Sequence, residues 1–172
     1  MKSPLSMIKT IFISTLLFTL SVTASASSQT RAMDHAEIIE LSSKYAWGID
    51  TLDKELLATV FIPSAFAHYE IVNTSVIKLD EKLEGFDEIY QWLKKNLGHR
   101  KGHDGLPWHF VTNHVVDITN DTAVMRFYMH NRPMAAGGVY TFKLIRATEG
   151  WRVKALKLDE QIWDLSPYQK RK

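Results

Sequence analysis

From His109 to Asp159 the hydrophobic pattern has a period of two residues, repeated through four segments with no helical stretch between them. This feature constrains the fold most, because alternation marks half-buried strands and the absence of crossover helices excludes a parallel sheet. The segments are His109 to Ile118, Thr122 to His130, Val139 to Arg146 and Trp151 to Asp159. Asn120-Asp121 and Thr148-Glu149-Gly150 read as hairpin turns, and Arg132 to Gly138 as a longer link. A meander of antiparallel strands needs something to cover its apolar face. The first half of the chain supplies it.

That half has a helical period. Ile38, Leu41, Tyr45 and Ile49 form one apolar stripe, with Asp34 placed as N-cap and Glu37 three residues on. Gly48 and Asp50 to Asp53 interrupt the pattern. A short helix then runs from Lys54 to Phe61, capped by Asp53 and closed by Pro63. Ala65 to Val72 reads as a strand, and Gly85 to Leu97 as a helix with Phe86, Ile89, Tyr90, Leu93 and Leu97 on its apolar face. Helices first and strands afterwards make an α+β fold, helices lying on one face of a curved antiparallel sheet.

Ahead of these elements, Lys2 and Lys9 precede an apolar run from Ile11 to Leu20, followed by Ala24-Ser25-Ala26. A basic start, a short apolar core and a small-x-small site are what a signal peptidase recognises, so residues 1–26 are expected to be a signal peptide. Residues 27–172 are then a single domain, periplasmic or secreted, with no membrane attachment after cleavage. The segment would take two of the 21 basic residues and none of the 19 acidic ones, leaving 19 of each. A neutral chain lacks the clustered basic surface that nucleic acid requires. There is no cysteine, hence no disulfide framework.

Candidate chemistry centres on Trp108 to Val116. Alternation puts His109, Val111 and Asn113 on one strand face, and Phe110, Thr112 and His114 on the other. His109 and Asn113 would look into a pocket whose far wall carries an acid from Tyr45 to Asp53. Tyr45 lies on the helix stripe, where a buried phenol needs a hydrogen-bond partner. Trp47, Tyr69, Trp108 and Tyr140 add aromatic bulk suited to a planar ligand. On the strand after Asp121, Ala123, Met125, Phe127 and Met129 make the apolar face, leaving Tyr128 and His130 for an oligomer interface. His99, His103 and Asp104 have no rigid ligand spacing, so no metal is expected, and no phosphate-loop or nucleophile-elbow motif signals a cofactor.

The order of elements, with Tyr45-Ala46-Trp47-Gly48-Ile49-Asp50-Thr51-Leu52-Asp53, His109-Phe110-Val111-Thr112-Asn113-His114 and Gly150-Trp151-Arg152-Val153, resembles the SnoaL-like branch of the NTF2-like superfamily. Within it the chain is similar to scytalone dehydratase-type and polyketide cyclase-type domains. The resemblance implies a cone-shaped α+β barrel, the sheet wrapping the N-terminal helices around a deep pocket. It also implies that Asp50 and His109 are the catalytic positions. Where the dehydratase has a second pocket histidine, this chain has Ala136-Gly137-Gly138-Val139, which counts against the same reaction.

Asp50 stands about 100° round the helix from Ile49, at the edge of the buried stripe. Paired with His109 it could poise a base and an acid near neutral pH; the structural alternative is that it caps the turn between two helices. The expected function is a small cofactor-independent acid–base enzyme, a dehydratase- or cyclase-type lyase or an isomerase. It would act on a hydrophobic oxygenated small molecule, bound by Tyr45, Trp47, Tyr69, Trp108, Asn113 and Tyr140. The alternative is a non-catalytic periplasmic carrier for an apolar ligand. Either is expected to be a homo-oligomer, a dimer or trimer.

Overall fold

A computed structural model describes residues 29–74, 77–98 and 108–166. His99, His103 and Asp104, and residues 1–26, for which a signal peptide is expected, lie outside them. The chain forms two compact units, residues 1–36 and 37–172. The described part of the first, residues 29–36, is helical and contains Asp34, which therefore lies inside a helix and does not cap one; the second unit holds everything else considered below.

In the second unit helix α1 comprises residues 37–51, and Gly48 does not interrupt it. Gly48 is needed for packing, since a Cβ there would come within 2.6 Å of Leu57 Cγ. The helix stops at Leu52, which takes a left-handed φ of 52°. The Asp53 amide then donates back to the Gly48 carbonyl at 3.0 Å, a Schellman-type closure built on leucine in place of the usual glycine. That conformation costs a β-carbon-bearing residue about 1–2 kcal/mol, and burial of the Leu52 side chain offsets it. The turn leaves Asp53 extended, and its carboxylate accepts from the Leu56 amide at 2.9 Å, capping helix α2, Lys54–Ala58.

Strand β1 runs Phe61–Ile71, β2 Asp80–Glu84, and helix α3 Phe86–Leu97. Four long strands follow: β3 His109–Thr119, β4 Thr122–Asn131, β5 Ala136–Ala147 and β6 Gly150–Ile162. The sheet order is β2-β1-β6-β5-β4-β3, with β1 and β6 parallel and every other pair antiparallel. The parallel pair departs from the all-antiparallel expectation, and the sheet is unclosed, with β2 and β3 as free edges. Pro63 is not a helix stop; it sits where the β1–β6 register slips between Phe61 and Phe66, a position tolerant of a missing donor.

The core lies between the helices and the inner sheet face. Ile38, Leu41, Tyr45 and Ile49 of α1 and Ile89 and Leu93 of α3 meet Met125, Phe127 and Met129 of β4 and Phe142 and Leu144 of β5, all buried. Trp151 and Val153 share the inner face with Leu156 and Leu158, although Leu156 follows Trp151 by an odd number of positions, five. A bulge near Lys154 shifts the alternation and keeps both pairs inside. The edge-on packing of Tyr45 on Phe61, Tyr140 and Phe142, at 5.4–5.9 Å between ring centres, ties α1 to the sheet.

Candidate active site

Asp50 occupies the last turn of α1, where the negative end of the helix dipole disfavours a carboxylate. Three donors from the start of β3 offset this. Asp50 Oδ2 accepts from the Trp108 amide at 2.8 Å and the His109 amide at 3.2 Å, and Oδ1 lies 2.5 Å from His109 Nδ1. Burial pushes the Asp50 carboxyl up, but the bond to His109, its charge and the two amides outweigh it and hold the group below the usual carboxylate range. An ionised Asp50 can only accept, so the neutral imidazole carries its proton on Nδ1. Nε2 is left with its lone pair, and it has no partner among the described residues.

His109 forms part of the wall of a cavity of about 340 Å³. Deep in this cavity lie Tyr45, Tyr69 and Tyr140, with Ile49, Met129 and Leu158; Trp92, Asn131, Glu160 and Ile162 complete much of the rest. Tyr69 stacks flat on Trp92, ring centres 4.5 Å apart at 8°. Tyr45 and Tyr69 share a hydroxyl–hydroxyl hydrogen bond of 3.0 Å. Burial pushes all three phenols well above the ordinary tyrosine range, so they remain protonated. His109 also lines an outer groove of about 240 Å³, together with Ser43, Ala46, Trp47, Asp50, Phe110 and Val111. Asp50 lines this groove and not the cavity.

The expected ligand-facing set divides accordingly. Tyr45, Tyr69, Tyr140 and His109 line the cavity. Trp47 does not: it is 59% exposed and borders the outer groove, because it projects from α1 away from the buried stripe. Trp108 takes part through its backbone amide, its side chain lying in neither lining. Asn113 is also outside, exposed at a φ of 56°, where the β3–β4 register slips between Thr112 and Val115. That bulge reverses the alternation and turns His114 inward, contrary to expectation. His114 Nε2 lies 2.7 Å from Ser42 Oγ, and its ring stacks on Phe127 at 5.2 Å.

Sequence reasoning did not find Trp92, Asn131, Glu160 and Ile162 as cavity residues. Trp92 follows Ile89 by three residues, so helical spacing could have exposed it. Asn131 accepts through Oδ1 from the Ala135 and Ala136 amides, and no local pattern signals that. Glu160 and Ile162 depend on the parallel β1–β6 pair.

The SnoaL-like domain family matches residues 30–157. No curated protein matches the chain. Among solved structures it is similar to a protein of unknown function from Mycobacterium tuberculosis (16% identity, 77% of this chain and 74% of the other, TM-score 0.62). An NTF2-like protein with a cystatin-like fold from Novosphingobium aromaticivorans is 20% identical over 81% and 88% of the two chains, TM-score 0.59. A hexachlorocyclohexane dehydrochlorinase from Novosphingobium barchaimii is 17% identical over 76% and 88%, TM-score 0.56. At these identities the likeness concerns the fold.

Proposed function

The chain belongs to the SnoaL-like domain family, and from that premise we propose that it is a small acid–base lyase or isomerase. Its reaction begins with removal of a carbon-bound proton by His109 Nε2. The observation that carries this reading is the Asp50–His109 pair, its carboxylate anchored by two backbone amides and its imidazole bordering a mostly apolar cavity. Asp50 positions the ring, selects the tautomer and stabilises the imidazolium formed when Nε2 takes a proton. In an elimination the C–H electron pair becomes the new C=C bond, the leaving group departs with its own pair, and the proton stays on His109. The dehydrochlorinase among the similar structures is named for an elimination of this kind, which is compatible with such chemistry in this fold.

A probe that asks only for proton removal tests the proposal without knowledge of the natural substrate. The ring opening of 5-nitro-1,2-benzisoxazole begins with loss of one C–H proton; the N–O bond breaks and a coloured cyanophenolate results. The wild type is expected to accelerate it, and His109→Ala to lose about 10²–10⁴-fold. Equal rates in the two proteins would overturn the reading. We also propose that the mature protein is exported and that copies associate through the outer sheet face, where Val115, Val124 and Tyr128 are exposed. A monomer at micromolar concentration in sedimentation would exclude the second point.

A further inference from the structure

The residues lining the outer groove include an anion and no permanent cation. Asp50 is ionised, and its three donors, the Trp108 and His109 amides and the imidazole Nδ1–H, are all neutral. Among the described residues its one ion-pair partner is His109, a cation only after taking up a proton. With the ring neutral, the groove wall therefore carries a whole negative charge. It sits in a side chain only 4% exposed, where water screens it poorly.

The other walls suit a cation that is apolar on its outside. Ser43, Ala46, Trp47 and Asp50 recur at helical spacing on one side of α1, and Phe110 and Val111 come from the free edge strand β3. Phe110 stacks on His130, but the exposed Trp47 indole has no ring partner among the described residues. An indole face attracts a cation more strongly than any other aromatic side chain. An anion would be repelled by Asp50, and a neutral group would leave its charge unmet. A bare ammonium would lose its water to Ala46 and Val111. An alkylated ammonium spreads its charge over an apolar surface and meets both demands.

We propose that the outer groove binds a small, free organic cation, a tertiary or quaternary ammonium, seated on the Trp47 indole with its charge toward Asp50. The binding needs only the groove; its consequence for catalysis rests on the proposed role of His109. Asp50 stabilises the imidazolium formed when Nε2 takes a proton. A cation in the groove draws on the same carboxylate, so proton uptake becomes less favourable, and by reciprocity a protonated His109 binds the cation less well. The groove is then an inhibitory site, separate from the cavity and coupled to it through one carboxylate.

Choline and 3,3-dimethylbutan-1-ol share a shape and differ in a quaternary nitrogen against a carbon, so their affinities for the full-length protein isolate the charge. Binding is read by NMR titration of the indole N–H signals. The wild type is expected to prefer choline by about threefold to thirtyfold, the range of one cation–aromatic contact. Trp47→Ala should remove the preference and Trp47→Phe should keep part of it. Asp50→Asn should weaken choline alone, leaving the neutral alcohol unchanged. Saturating choline should also slow the benzisoxazole reaction of the wild type and leave that of Trp47→Ala unaffected. Vesicles of phosphatidylcholine should not displace choline; displacement would make the ligand a lipid surface and overturn the assignment to a free cation. The preference is an equilibrium quantity that an inactive protein still shows, so this site and the functional proposal fail separately. Equal affinities in the wild type, a preference undiminished in Trp47→Ala or in Asp50→Asn, or slowing that persists in Trp47→Ala would overturn the site. An active wild type that choline saturates without slowing would overturn the coupling.

Discussion

Two histidines on one strand, both turned toward α1 and both held by one of its side chains, have been given opposite settings. His109 meets a carboxylate, Asp50, through Nδ1 and borders the cavity. His114 meets a hydroxyl, Ser42, through Nε2 and is packed on Phe127, away from that cavity. The Ser42 hydroxyl proton is committed to the Ile39 carbonyl at 2.7 Å, so Ser42 Oγ must accept and His114 Nε2 must carry the proton. One imidazole is thus held with Nε2 bare, the other with Nε2 protonated. Burial pushes the His114 proton affinity down, which favours the neutral ring. A histidine's residue type says little; its partner's ability to donate decides its role.

The largest break in this comparison is expected from exchanging which histidine is removed. Loss of the His109 imidazole should cost the benzisoxazole reaction about 10²–10⁴-fold, with a stability loss of about 2 kcal/mol as the buried Asp50 carboxylate loses its ring partner. His114→Ala should leave the rate within about twofold while destabilising the fold by about 1–3 kcal/mol, read from chemical denaturation. Similar rate losses in both variants would dissolve the distinction.

Asp50→Asn comes next. The amide cannot accept from all three donors and stabilises the imidazolium less, so we expect a rate loss of about 10²-fold and a stability loss of about 2 kcal/mol. The stability effect carries a pH signature. Asp50 is depressed in the folded state, so its contribution is present above the ordinary carboxylate value near 3.8 and disappears as pH falls through the lower folded value. The gap between wild type and Asp50→Asn should therefore narrow on acidification. A gap independent of pH would show that the carboxylate is not held as described.

The strand containing both histidines also shows how far the sequence could be read. The helix-then-meander order and the apolar faces of α1 and β4 were legible, because each depends on a period visible within one element. Asn113 was not. A uniform alternation from His109 onward assigns it to the cavity face and His114 to the outside, whereas the bulge between Thr112 and Val115 exchanges them. Asparagine tolerates the left-handed region, which is a hint but not a register. The parallel β1–β6 pair is a contact between distant segments, and it brings Glu160 and Ile162 to the cavity without any local signal. Asp50 was legible as a residue at the stripe's edge. The continuation of α1 through it depends on the Leu52 closure, which a leucine does not advertise.

Two smaller effects sharpen the comparison. His114 is depressed in the folded state, so the unfolded chain binds its proton more readily and stability should rise with pH up to about the ordinary value of 6.5. His114→Gln should flatten that slope, seen in denaturation midpoints between about pH 5 and 7. At the bulge, Asn113→Val should cost about 1–2 kcal/mol for a β-branched residue at positive φ, and Asn113→Gly less than about 0.5 kcal/mol. Equal stabilities would mean that the bulge relocates, taking His114 out of its setting.

The central claim, that Asp50 fixes the Nδ1–H tautomer of the neutral His109 ring and leaves Nε2 bare, is tested most directly by the nitrogen-15 NMR spectrum of the imidazole at alkaline pH. The expected result is the Nδ1–H tautomer for His109 in the wild type, weakened in Asp50→Asn, beside the Nε2–H tautomer for His114. An Nε2–H tautomer for His109 in the wild type would contradict it.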